Sequence, residues 1–240
     1  MASPAWFPWR PTPPPPCIVW RIDGYTVPRR KDAIRCARRE PPEHQDPGMI
    51  EQIGVADDPA PGAILETLSL SFSPSLLPLR QRWRNNGLSA DFLGDYVTTF
   101  FPAEANDPAT RSRQAQARAA VAYVANELLE NAMKYSLPQA REPITLRLIL
   151  EPTRITVVST NPMAADRVEP FRALVARLAE TDPLEAYLAA VEEKALHPEV
   201  PGSGLGLVTM RNDYGACLGW RFAPQEEGVT EVTTIVQLMV

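Results

Sequence analysis

A chain of 240 residues that is 45% hydrophobic and 22% charged has the composition of a soluble globular protein, with room for one domain plus extras or two small domains. A net charge of −5 weighs against a nucleic-acid partner, which calls for a basic surplus or stripe. No run of about 18 apolar residues is present, so no transmembrane helix and no membrane partner are expected. The N-terminus lacks a signal-peptide pattern, and Cys17, Cys36 and Cys217 are too few and too far apart for a disulfide framework, which points to a reducing cytoplasm. His44 and His197 are the only histidines, so a structural zinc site is not expected.

Residues 1–48 stand apart. They hold eleven of the 26 prolines and a basic cluster of Arg29, Arg30, Lys31, Arg35, Arg38 and Arg39. Without an apolar period they read as an extended or disordered tail. Trp6, Trp9 and Trp20 fit a docking peptide, whereas Met49, directly after the tail, offers an alternative start. The globular domain is expected over 60–240. Leu68, Leu70 and Phe72 alternate with Thr67, Ser69, Ser71 and Ser73 as a half-buried strand. A short helix is read over 75–86 with Leu76, Leu79 and Trp83, stopped by Gly87. A second runs from Ser89 through Leu93, Tyr96, Val97 and Phe100 to Pro102. Asp107-Pro108 starts a helix of about 28 residues ending near Ser136 before Pro138, roughly 40 Å long. Residues 144–150 and 154–159 form a hairpin across Glu151-Pro152-Thr153. Two helices follow, over 169–180 and from Asp182-Pro183 to Leu196. The glycine-rich turn at 202–207 opens a helix that runs to Tyr214 and stops at Gly215. Closing strands are expected at 218–222 and 231–238, with Trp220 and Phe222 in the core.

Two stretches carry the chemistry. In 126–136, NELLENAMKYS, Glu127, Asn131 and Lys134 stack as one polar stripe on an otherwise apolar helix. Burying such groups without partners costs about 2–7 kcal/mol for an amide-like group, and a charged ligand or metal along the stripe would remove that penalty. Taken alone, the stripe equally fits a surface helix facing water. The second stretch, GSGLGL at 202–207, is a turn rich in glycine at a helix start, where free N–H groups and the helix dipole favour an anion such as phosphate. No strand leads directly into it and no Lys-Ser/Thr follows, so it is neither a dinucleotide fingerprint nor a nucleotide P-loop.

NELLENAMKYS, followed some seventy residues later by GSGLGL with a hairpin and a helical excursion between, resembles the GHKL ATP-binding superfamily over about 105–238. The resemblance implies an α+β fold of the Bergerat type: a two-layer sandwich whose mixed, mainly antiparallel sheet carries helices on one face, with a helical ATP lid. It implies ATP and Mg2+ as cofactors, Asn131 as the metal ligand and Glu127 as the catalytic base. It further implies Lys134 at the phosphates, which Gly202, Ser203, Gly204, Leu205, Gly206 and Leu207 would wrap. Where the superfamily has Asp-x-Gly-x-Gly, this chain has Ser159-Thr160-Asn161-Pro162-Met163, so Ser159 or Asn161 would take over the adenine contact.

No histidine sits on a dimerising hairpin upstream and no transducer domain follows in the sequence. The chain resembles the compact anti-sigma-factor serine kinases (SpoIIAB or RsbW type), and GLGLVTMRNDYGACLGWRF looks like the SiaB-like regulators of partner-switching systems. The resemblance implies a partner in the form of a small antagonist protein with a Ser/Thr phosphosite, and leaves room for a homodimer. Two readings stand: a protein Ser/Thr kinase, favoured by Glu127, and a non-catalytic, nucleotide-gated module that sequesters a partner, favoured by the altered segment at 159–163.

Overall fold

The computed structural model describes residues 50–55, 57, 59, 62–73, 79–104, 107–137, 140, 142–196, 204–225 and 228–240. The expected tail over 1–48, Met49, Leu76, His197, Gly202 and Ser203 lie outside the described residues, as do the side chains of Leu79 and Trp83.

Six strands are present among the described residues: β1 (Glu51–Gly54), β2 (Glu66–Phe72), whose apolar and polar residues alternate, β3 (Ile144–Leu150), β4 (Arg154–Ala164), β5 (Cys217–Pro224) and β6 (Val229–Met239). They form one sheet in the order β1-β5-β6-β4-β3-β2, every neighbouring pair antiparallel. The helices among the described residues are α1 (Leu79–Thr98), α2 (Pro108–Tyr135), α3 (Ala165–Glu180), α4 (Pro183–Leu196) and α5 (Leu205–Asp213). The fold is α+β, compatible with a two-layer sandwich.

The register places one apolar row across the sheet. Leu68 pairs with Leu148, Leu148 with Val157, Val157 with Val236, and Val236 with Leu218. This row meets Val121, Val124 and Leu128 of α2 in the main core, together with apolar residues of the other four helices. Trp220 and Phe222 are fully buried there, as their strand spacing predicts. Burial of this apolar area, at about 25 cal/mol per Å², is the term that holds the helices on the sheet. Across the opposite face only Ile149, Val158 and Ile235 form a second, small cluster. β1 and β2 lie at opposite edges of the sheet. Val55 N–H donates to Leu218 O (2.8 Å), Gln237 Nε2 to Asp57 O (2.9 Å) and Leu65 N–H to Leu150 O (2.8 Å), which ties each of Val55, Asp57 and Leu65 to the sheet.

Four features differ from the expectations. The sheet is wholly antiparallel, not mixed. β1 is a strand that no alternation announced; its four residues are held by β5 and by Arg172 of α3, whose Nε lies 2.8 Å from a Glu51 carboxylate oxygen. Gly87 stops nothing, because α1 continues through it to Thr98. A mid-helix glycine costs about 1 kcal/mol, less than packing along α2 returns. α3 begins at Ala165, four residues before the expected start, and carries Pro170 in its interior, while β4 continues past Ser159 to Ala164. The remaining caps behave as read. Asp107 accepts from Ala109 N–H at 2.8 Å, and Asp182 accepts from Leu184 N–H at 2.9 Å.

The α1–α2 crossing is close at Gly94, where an added Cβ would lie 2.9 Å from Arg118 O and 3.1 Å from Ala122 Cβ. Gly87, in contrast, faces open space. Gly94→Val is expected to lower stability by about 1–3 kcal/mol through overpacking, and Gly87→Ala to raise it by about 0.5–1 kcal/mol through helix propensity. Urea midpoints of the two variants measure both signs; equal shifts would disprove the close crossing.

Candidate functional site

The site is built where α2 ends on the sheet. The Ser136–Met163 bridge and the Leu137 N–H to Pro162 O bond (2.9 Å) pin the C-terminus of α2 to the end of β4. The last turns of α2 therefore lie over Ser159, Asn161 and Met163, which share one face of β4 by their spacing of two. A cleft forms between them, lined from α2 by Leu128, Asn131, Ala132 and Tyr135 and from the sheet by Ser159, Asn161, Met163, Val232 and Thr234. Phe171 of α3 and Leu207 of α5 complete the wall. Its empty volume is about 370 Å³ including the open mouth, yet only about 20 Å³ can hold the centre of a water molecule. The second figure decides what enters: a ring-sized ligand requires the walls to part, and Met163 has the flexible side chain for that.

The floor of this cleft carries unsatisfied polar atoms. Ser159 is 2% exposed and Asn161 6% exposed, and neither the Ser159 hydroxyl nor the Asn161 Nδ2 has a hydrogen-bond partner among the described residues. A buried polar group left in this state costs about 1–3 kcal/mol.

Glu127 lies one turn before Asn131 on α2. The turn into α5 is made by Gly204 in the left-handed region (φ 68), which is why a glycine is required there. Two residues on, Gly206 faces the Glu127 carboxylate so closely that an added Cβ would be 2.1 Å from Oε2. The half-buried carboxylate makes no hydrogen bond or ion pair with the described residues. Burial, and secondarily the neighbouring Glu130, push its pKa up from 4.5 to about 7. Glu130 itself accepts from Asn126 Nδ2 at 2.8 Å.

Of the residues expected from sequence, Asn131, Ser159, Asn161 and Leu207 line one cleft, and Glu127 and Gly206 are in contact beside it. Gly204 packs near Leu174 of α3, and Leu205 is half-buried at the start of α5. Lys134 is not brought in. It is exposed, with its ammonium 5.0 Å from the centre of the Tyr135 ring, and does not line the cleft.

Sequence reasoning missed Tyr123, Thr209 and Tyr214. Tyr123 lies beside Thr209, and its ring stacks on that of Tyr214 at 5.1 Å. Burial, then the Glu127 charge, raise the Tyr123 pKa and keep the phenol protonated. The one available signal was its place four residues before Glu127, which puts it on the same stripe. Among the described residues no three His, Cys, Asp or Glu side chains converge. A metal here would depend on the Asn131 amide and on oxygens from a ligand and water, a set that suits Mg2+. No protein-family model, curated protein or solved structure matches the chain.

The raised pKa fixes a sign. Between about pH 4.5 and 7 the folded protein holds a proton at Glu127 that the unfolded chain has released, so this group lowers stability as pH rises through that window. The Glu127→Gln variant is expected to be more stable than the parent at pH 8 by at most roughly 3 kcal/mol, with the difference vanishing at pH 4. Denaturant unfolding of both proteins at the two pH values measures it; equal stability at pH 8 would place Glu127 in water.

Proposed function

We propose that this protein binds Mg2+-ATP as a compact regulator of the GHKL type and transfers phosphate to a serine or threonine of a small antagonist protein. The observation that carries the reading is the pair of unpartnered polar groups at Ser159 and Asn161 in one cleft, beneath the helix that presents Asn131. The contact between Gly206 and Glu127 adds to it by bringing the two sequence motifs together. The helical layer on one face of the sheet, with α3 and α4 running between β4 and α5 as a lid would, supports the Bergerat-type fold.

The residues fit the roles. Asn131 offers one neutral oxygen to Mg2+, and Ser159 and Asn161 receive the base. Gly204, Leu205 and Gly206 present backbone N–H groups at the start of α5, beside which a phosphate chain is stabilised. Bound Mg2+-ATP supplies the transferable phosphoryl group. Glu127 accepts the proton of the incoming hydroxyl, and a carboxylate poised near neutrality is well matched to that task. Lys134 reaches phosphates only after its side chain turns away from Tyr135.

A protein partner is supported by α4. Leu184, Leu188 and Val191 form an exposed apolar row at helical spacing, bordered by Asp182, Glu185 and Glu192. Two features favour the second reading, a nucleotide-gated binding module without catalysis: no charged residue lines the cleft, and its water-sized space is small.

The test is incubation with labelled ATP, Mg2+ and the product of a neighbouring gene. Transfer to that protein is expected, increasing as pH rises through about 7 with ionisation of Glu127. Glu127→Gln should abolish transfer and keep ATP binding, and Asn131→Ala should remove the Mg2+-dependent part of the ATP thermal shift. ATP binding without transfer would leave the sequestering module, and no ATP shift at all would overturn both readings.

A further inference from the structure

The polar groups lining the cleft are Asn131, Tyr135, Ser159, Asn161 and Thr234, all uncharged. Each carries both a donor and an acceptor. Ser159 Oγ and Asn161 Nδ2 are buried without partners, and their residues sit on one strand face, two apart in sequence, with Cα atoms about 7 Å from each other. That spacing flanks one edge of a purine. The edges of the two purines are opposite in sense. Adenine presents a donor at its 6-amino group and an acceptor at N1; guanine presents an acceptor at O6 and a donor at N1. A carboxylate floor could only accept, and would serve adenine while repelling the guanine O6. A hydroxyl turns about its C–O bond, and a half-turn of the Asn161 amide exchanges Oδ1 and Nδ2. Neither group therefore commits the cleft to one pattern, and both are nine-tenths buried or more, where an unmade bond matters most.

We propose that the cleft takes adenine and guanine nucleotides alike. The inference rests on the nucleotide-binding reading above and specifies its base selectivity. It assigns Ser159 and Asn161 as an ambivalent base-recognition pair, with Thr234 opposite Ser159 in register on β6.

Calorimetric titration of the full chain with ATP and with GTP, each with Mg2+, tests it. Dissociation constants within about tenfold of each other are expected, whereas a site built to one hydrogen-bonding pattern rejects the other by about 10⁴-fold. Asn161→Asp at pH 8 should move the ratio at least about tenfold towards ATP. Should that variant fail to fold, Ser159→Ala provides the second arm: it should weaken both nucleotides by a similar factor. A parent preference for ATP above about 100-fold, or a Ser159→Ala loss confined to ATP, overturns this inference and leaves ATP binding standing. Binding of neither nucleotide overturns the nucleotide-binding reading itself.

Discussion

At Gly206, in the first turn of α5, there is no room for a side chain, and the arrangement around Glu127 follows from that. Gly206 lets the helix close on Glu127, so a carboxylate is held half-buried between two helices. The rest of α5 keeps it there. Tyr123 and Tyr214 stack at its far end, and the Arg211 guanidinium donates to the carbonyl oxygens of Leu178 and Thr181 at the end of α3. A larger residue at 206 would displace the flexible carboxylate before it displaced either helix, so the cost of substitution falls on the position of Glu127 and less on the fold.

Desolvation of Glu127 is uncompensated by any described partner, and two more unpaired groups lie on the floor of the cleft a short distance away. Total stabilities of small proteins are about 5–15 kcal/mol, so a few kcal/mol concentrated in one place is a large fraction. Local rules of good packing are broken most often at functional sites, where a bound molecule restores what the empty protein lacks. Ser136 Oγ, Thr156 Oγ1 and Trp220 Nε1 are also buried without partners, while apolar packing runs from Val121 to Leu128 on α2 and from Leu146 to Val236 across the strands. A rigid frame of this kind can hold unsatisfied groups in place.

Most of the frame was legible in the sequence, because local chemistry and tertiary packing agree there. Asp107-Pro108 and Asp182-Pro183 begin helices, Gly215 follows the last one with a positive φ, period-two alternation gives β2, and the short link Glu151-Pro152-Thr153 gives the β3–β4 hairpin. Failures occur where a distant element decides. Gly87 has the look of a stop, yet α2 carries the helix through it. β1 has too few residues to show a pattern and exists because β5 offers an open edge. Spacing placed Glu127 and Asn131 on one stripe, but nothing local could show that Gly206 would meet Glu127 from the other end of a long excursion. Lys134 shares the stripe by its position, and its long stem still ends in water. Tyr123 was hidden by its apolar ring, which reads as core until Thr209 and Tyr214 are seen beside it.

The strand order has a consequence for how the protein is made. β6 lies between β4 and β5, so while the chain is emerging the sheet consists of two separate parts: β2-β3-β4, which can assemble early through a local hairpin, and β5, which has only β1 to pair with from far upstream. Non-local pairing of this kind is slow, and unpaired edges invite association with other chains. Val232 and Thr234, two walls of the cleft, arrive only with β6. A nascent chain therefore carries exposed strand edges and an incomplete cleft until β6 has joined the two parts.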